Sequence, residues 1–81
     1  MRISVRLFAR LREITGRAEL SREVPEGATA RTAWDALVGE FPELAGYTTS
    51  ISVAVNEDYA RMTTTIGDGD EIAFLPPVSG G

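Results

Sequence analysis

The sequence predicts an α+β domain with a single two-layer core, and three observations carry that prediction. A chain of 81 residues has room for one hydrophobic core and no second lobe. Several short segments alternate apolar and polar residues, the period of half-buried strands. One longer segment repeats apolar residues at helical spacing, enough for one helix to cover one face of a sheet. With 43% hydrophobic and 25% charged residues, the composition is that of a chain that folds.

The elements follow in order. Over residues 2–8, Ile3, Val5 and Leu7 point one way and Arg2, Ser4, Arg6 and Phe8 the other, which predicts a first strand. Leu11 and Ile14 stand three apart and Gly16 follows as a left-handed stop, so residues 9–15 read as a short helix. Residues 18–24 alternate again through Ala18, Leu20, Arg22 and Val24, giving a second strand, and Val24-Pro25-Glu26-Gly27 reads as a turn. Thr29 is the expected N-cap of the main helix, whose apolar face is Ala30, Ala33, Trp34, Leu37, Val38 and Phe41. Pro42 should end it. Residues 43–50 read as irregular, with one helical turn at Glu43-Leu44-Ala45. A third strand is expected at Ile51–Val55, a turn at Asn56-Glu57-Asp58 and a short fourth strand at Tyr59–Met62. Ile66-Gly67-Asp68-Gly69-Asp70 reads as a tight turn before a last strand, Glu71–Leu75, with Ile72 and Phe74 on one side. Periodicity alone does not give the order of these strands in the sheet.

Composition narrows the chemistry. The chain has neither cysteine nor histidine, so a thiol nucleophile, an imidazole base and the usual zinc ligands are missing, and no metal site is expected. The aspartates at 68 and 70 lack the further oxygen ligands and closing glutamate of a calcium loop, so they read as turn chemistry. A net charge of -4 disfavours nucleic acid as a partner. Residues 1–22 hold six arginines against two glutamates, but these interleave with apolar residues as the polar faces of a strand and a helix. No run reaches membrane-spanning length, and with no cysteine the cytoplasm is the expected compartment. All eight cationic residues are arginine, so the chain cannot build polymers of itself through lysine side chains.

The character changes after Leu75. Pro76-Pro77-Val78-Ser79-Gly80-Gly81 continues neither strand nor helix, and its two prolines favour a stiff extended path away from the domain. Six extended residues reach about 20 Å. Gly80 and Gly81 have no Cβ, so their backbone can enter a narrow channel and the terminal carboxylate is sterically open. A carboxylate is a poor electrophile, so covalent use of it calls for activation by another protein, most simply as a mixed anhydride with a nucleotide phosphate.

Residues 68–81, Asp-Gly-Asp-Glu-Ile-Ala-Phe-Leu-Pro-Pro-Val-Ser-Gly-Gly, resemble the ending of the small, sulfur-carrier subunits of molybdopterin synthase, a family of ubiquitin-like sulfur carriers. Val5-Arg6-Leu7-Phe8-Ala9, then Leu11-Arg12-Glu13, and the Val55-Asn56-Glu57 turn are similar to the same family, so the likeness spans the chain. The resemblance implies a ubiquitin-like β-grasp over residues 1–75, a mixed sheet covered by one long helix with its first and last strands adjacent, and an extended tail over 76–81. It also implies that a ubiquitin-activating-like enzyme uses ATP to adenylate Gly81 and that a sulfur donor protein converts the adenylate to a thiocarboxylate. The large synthase subunit then takes the sulfur into a cyclic pyranopterin phosphate precursor, within a heterotetramer. No cofactor is expected on this chain itself, which is a protein cosubstrate more than an enzyme.

Strand alternation suggests where partners touch. If Ile3, Val5, Leu7, Ile72 and Phe74 face the helix, then Phe8, Ala73 and Leu75 lie on the opposite face beside the tail. Phe8 and Leu75 are therefore candidate anchors of the partner interface, although Phe8 can also fold back under the short helix. Two other functions share the double glycine: a sulfur carrier for thiamine, cysteine or transfer-RNA thiolation, and a ubiquitin-like modifier attached to lysines of target proteins. The Pro-Pro-Val-Ser spacer argues for the molybdopterin group.

Overall fold

The computed structural model describes residues 1–77, which form five strands, two α-helices and a 3₁₀ helix. Strands β1 (Arg2–Leu7), β2 (Glu19–Glu23), β3 (Ser52–Val55), β4 (Asp58–Ala60) and β5 (Glu71–Leu75) make one sheet in the order β2-β1-β5-β3-β4. β1 and β5 are parallel, with Val5 opposite Ile72 and Leu7 opposite Phe74, and the other neighbours are antiparallel. This mixed sheet, closed at its centre by the first and last strands and covered on one face by a helix, is the β-grasp.

Helices α1 (Ala9–Thr15) and α2 (Ala30–Glu40) occupy the expected segments. Gly16 ends α1 at φ 72°, a left-handed turn that only glycine adopts freely, and its N–H donates to the Arg12 carbonyl at 2.8 Å. At the other end Ala9 sits at φ 50°, a left-handed corner that a Cβ makes costly. Thr29 caps α2 reciprocally with Thr32: the Thr32 N–H donates to Thr29 Oγ1 at 3.3 Å, and the Thr29 N–H to Thr32 Oγ1 at 3.1 Å. The next free N–H groups of α2, on Ala30 and Arg31, donate to the carbonyls of Thr64 and Met62. The positive end of α2 is thus satisfied by the chain itself. Pro42 stops the helix as expected, but a 3₁₀ helix follows over Pro42–Tyr47, longer than the single turn expected at Glu43–Ala45. Leu44 explains the extra length, because it is buried at the end of the core and fixes the segment in place.

Ile3, Val5, Leu7, Ile72 and Phe74 are all buried against α2. Trp34 stands at the centre, its ring centroid 5.0 Å from that of Phe74 at a tilt of 58°, and its indole Nε1 donates to Thr48 Oγ1 at 2.9 Å. The indole therefore fills the core without leaving its one donor unpaired.

Two expectations need correction in detail. β2 begins at Glu19, with Ala18 exposed, although the Leu7 N–H still donates to the Ala18 carbonyl at 2.9 Å at the end of the ladder. Arg22 shares the helix face with Leu20 yet is not apolar. Its guanidinium reaches across to Glu40 at the end of α2 and donates to both carboxylate oxygens, at 2.6 and 2.7 Å. This pair holds the Glu40 carboxyl below the usual carboxylate range, chiefly through the Arg22 hydrogen bonds. β4 also ends earlier than expected, at Ala60, after a two-residue hairpin loop in which Asn56 and Glu57 both take positive φ, 50° and 73°.

Candidate functional site

The candidate site lies on the sheet face away from α2, at the end where β5 passes into Pro76 and Pro77. Leu7 pairs with Phe74, so Phe8 falls beside Leu75 where the two central strands end. Phe8 does not fold under α1: it is 37% exposed, with the Arg6 guanidinium 5.5 Å from its ring centroid. Leu75 and Pro76 are half-buried and Pro77 is exposed. Phe8 and Leu75 thus come together at the base of the arm. The expectations for Val78, Ser79, Gly80 and Gly81 lie outside the described residues.

These two residues line a groove of about 220 Å³. Its floor is the Ala54–Ala73 pair between β3 and β5, where two methyl groups leave room above the sheet. Tyr59, opposite Ala54 on β4, forms the far wall and is 80% exposed. Arg6, Glu57 and Glu71 supply a charged rim. The arrangement offers apolar and aromatic anchors within a polar border, which suits protein docking better than small-molecule chemistry. Sequence reasoning missed Tyr59. The signal was present in the hairpin: with Val53 inward and Asn56-Glu57 as a two-residue turn, alternation puts Tyr59 outward.

A second cluster sits at the other end of β5. The Asp70 carboxylate accepts from Asn56 Nδ2 at 3.0 Å and from the Gly67 N–H at 2.7 Å, and the Glu71 N–H donates to Asn56 Oδ1 at 2.9 Å. The Asn56 hydrogen bond, then that of Gly67, holds the Asp70 carboxyl below its ordinary value. Asp68 accepts from the Arg2 N–H at 2.8 Å. These aspartates tie the turn to the hairpin and to β1, as turn chemistry requires. Among the described residues, no group of three acidic, histidine or cysteine side chains could hold a metal ion. No helix of residues 1–77 is long and apolar enough to cross a membrane.

Residues 5–81 match the model of the ThiS family. The chain belongs to the ThiS family. Among similar ThiS-type proteins is the molybdopterin synthase sulfur carrier subunit of Arabidopsis thaliana, 40% identical over 79 residues, covering 98% of this chain and 82% of that protein. The crystal structure of SAMP1 from Haloferax volcanii superposes with a TM-score of 0.86 at 34% identity, covering 100% of both chains. A protein–protein complex of subunits 1 and 2 of molybdopterin-converting factor from Helicobacter pylori also matches, with a TM-score of 0.69 at 26% identity and 100% of both chains covered. The ThiS-family fold and the groove at its tail base are thus features of one molecule.

Proposed function

We propose that this chain is the sulfur-carrier subunit of a molybdopterin synthase, with residues 1–75 as the body and 76–81 as the arm. Its curated relatives at 33–40% identity include sulfur carrier subunits of this synthase from plant, bacterial, algal, insect and human sources. The Gly81 carboxylate attacks ATP on a ubiquitin-activating-like enzyme, pyrophosphate leaves, and an acyl-adenylate forms. Sulfide released by a sulfur donor protein then attacks the carbonyl carbon, AMP departs with the electron pair of the C–O bond, a proton goes to solvent, and the terminus becomes a thiocarboxylate. The resulting sulfur is the nucleophile that a chain without cysteine otherwise lacks. Acid–base groups for its transfer come from the large subunit, into which the arm is inserted. The work is done in the cytoplasm, and ATP is consumed by the activating partner.

The observation that carries this reading is the meeting of Phe8 and Leu75 at the point where β5 gives way to Pro76. Partner proteins anchor there, with Tyr59 extending the surface. Intact-mass measurement tests the chemistry. After incubation with ATP, the adenylating enzyme and a sulfide source, the chain gains the oxygen-to-sulfur mass difference. A Gly81 deletion does not. An unchanged mass beside a demonstrably active enzyme refutes the proposal.

The likeness to small archaeal modifier protein 1 (SAMP1) of Haloferax volcanii, 37% identical, raises a second reading as a protein modifier. That reading requires isopeptide conjugates of this chain in cells, whereas a carrier is recovered free with sulfur at its end.

A further inference from the structure

We propose that Asn56 is a positioning residue for docking: its side-chain amide pins the β3–β4 hairpin to the start of β5 and so fixes Tyr59 on the groove wall. The inference rests on the carrier reading above and concerns how the groove keeps its shape before a partner arrives.

Strand β4 has little of its own to fix where it sits. It is three residues long, lies at the edge of the sheet, and pairs with β3 alone among the described residues. Asp58 and Tyr59 are exposed and Ala60 is half-buried, so no side chain of the strand is fully buried. A strand without a buried face has no hydrophobic pattern to specify its register, and a slip of one residue exchanges its two faces. Here that slip would withdraw Tyr59 from the groove and set Asp58 or Ala60 opposite Ala54 instead. The Tyr59 ring is 80% exposed, so the backbone beneath it, and not packing, decides where it stands.

The register is therefore held at the two ends of β4. Beyond Ala60 the chain is tied to the first turn of α2, where the Ala30 and Arg31 N–H groups donate to the carbonyls of Thr64 and Met62. At the other end stands the Asn56-Glu57 turn. Both residues take positive φ, as a two-residue hairpin turn matched to strand twist requires, yet neither is glycine. Asparagine visits that region readily and glutamate at a cost, so the turn needs outside support.

Asn56 supplies that support through three atoms. Its N–H donates to the Glu71 carbonyl at 2.8 Å, its Oδ1 accepts from the Glu71 N–H at 2.9 Å, and its Nδ2 donates to Asp70 Oδ1 at 3.0 Å. Asp70 is itself anchored: its other carboxylate oxygen accepts from the Gly67 N–H at 2.7 Å, and its carbonyl accepts from the Ser4 N–H at 3.0 Å. The pin thus runs from the hairpin through β5 to β1, at the centre of the sheet. Tyr59 stands three residues beyond it on the groove wall.

A double-mutant cycle with Tyr59 tests this, using the 81-residue chain and the large synthase subunit in isothermal titration. Thermal unfolding of each variant sets a titration temperature at which all are folded. Asn56→Gly keeps the positive φ at no cost and removes only the amide side chain. It is expected to weaken binding about 5-fold in Kd, the loss for ordering a wall no longer held in place. Tyr59→Ala weakens it about 30-fold. The double variant is expected to stay near the value of Tyr59→Ala, about 30-fold, and not to reach the product of about 150-fold, because Asn56 acts through the ring that is gone. Asn56→Asp keeps the acceptor for Glu71 but faces Asp70 with a second carboxylate, and is expected to repeat the pattern. Either Asn56 variant binding as tightly as wild type overturns the inference, and so does a double variant whose loss is the product of the two single losses. Both results leave the carrier reading standing. A wild-type chain that does not bind the large subunit overturns the carrier reading, and this inference with it.

Discussion

Replacing Tyr59 by alanine separates the groove's role in docking from its role in folding. The ring is 80% exposed in the free protein. For an aromatic side chain of about 200 Å², the covered part is about 40 Å², which at about 25 cal/mol per Å² contributes about 1 kcal/mol to folding. In a domain of this size that loss lowers Tm by about 6 °C. The open part is about 160 Å², and a partner covering half of it gains about 2 kcal/mol. Tyr59→Ala is therefore expected to weaken binding of the large synthase subunit about 30-fold in Kd. Isothermal titration against that subunit, with thermal unfolding of the free variant alongside, reads both numbers. An unchanged Kd would remove Tyr59 from the docking surface. A Kd that weakens only as far as the fraction of folded protein falls would show the ring to be structural.

Other perturbations test the frame around the site. Trp34→Phe shrinks a fully buried ring and leaves Thr48 without its donor, at a cost of about 1–3 kcal/mol in denaturant unfolding; an unchanged midpoint would contradict a core centred on the indole. Asp70 and Glu40 both titrate below the ordinary carboxylate range when folded, so the unfolded chain takes up protons first. Stability from these groups is present above about pH 5 and is lost as the pH falls below about 4. Asn56→Ala should move the Asp70 titration upward in carboxyl NMR, and an unmoved titration would show that Asn56 is not the cause. Ala9→Gly relieves a left-handed alanine and should raise Tm by a few degrees, equivalent to about 0.5–1 kcal/mol; a lowered Tm would show that the corner carries no strain.

Much of this was legible in the chain. Alternation at Ile3, Val5 and Leu7 and at Ile72 and Phe74 identified the buried face, because a period of two leaves only one side apolar. Thr29, Gly16 and Pro42 marked helix ends through local backbone chemistry, which needs no distant partner. What escaped depends on contacts between remote segments. The adjacency of β1 and β5 followed from family resemblance and not from periodicity, which tells a residue's face and not its neighbour, and their parallel sense came only from the structure. Arg22 sits on an apolar face only because Glu40 ends α2 within its reach. Tyr59 joined the site only once the hairpin set β3 against β4, and Leu44 lengthened the 3₁₀ helix only by finding the core.

The central strands come from opposite ends of the chain, with β1 near the first residue and β5 near the last. During synthesis, β1 therefore waits for its neighbour until nearly all the chain has left the ribosome. A message cut short before residue 75 yields a product lacking the middle of its sheet, and such a product also lacks the double glycine. Folding thus waits on the last strand to be made: until β5 exists, β1 and β3 have no strand between them.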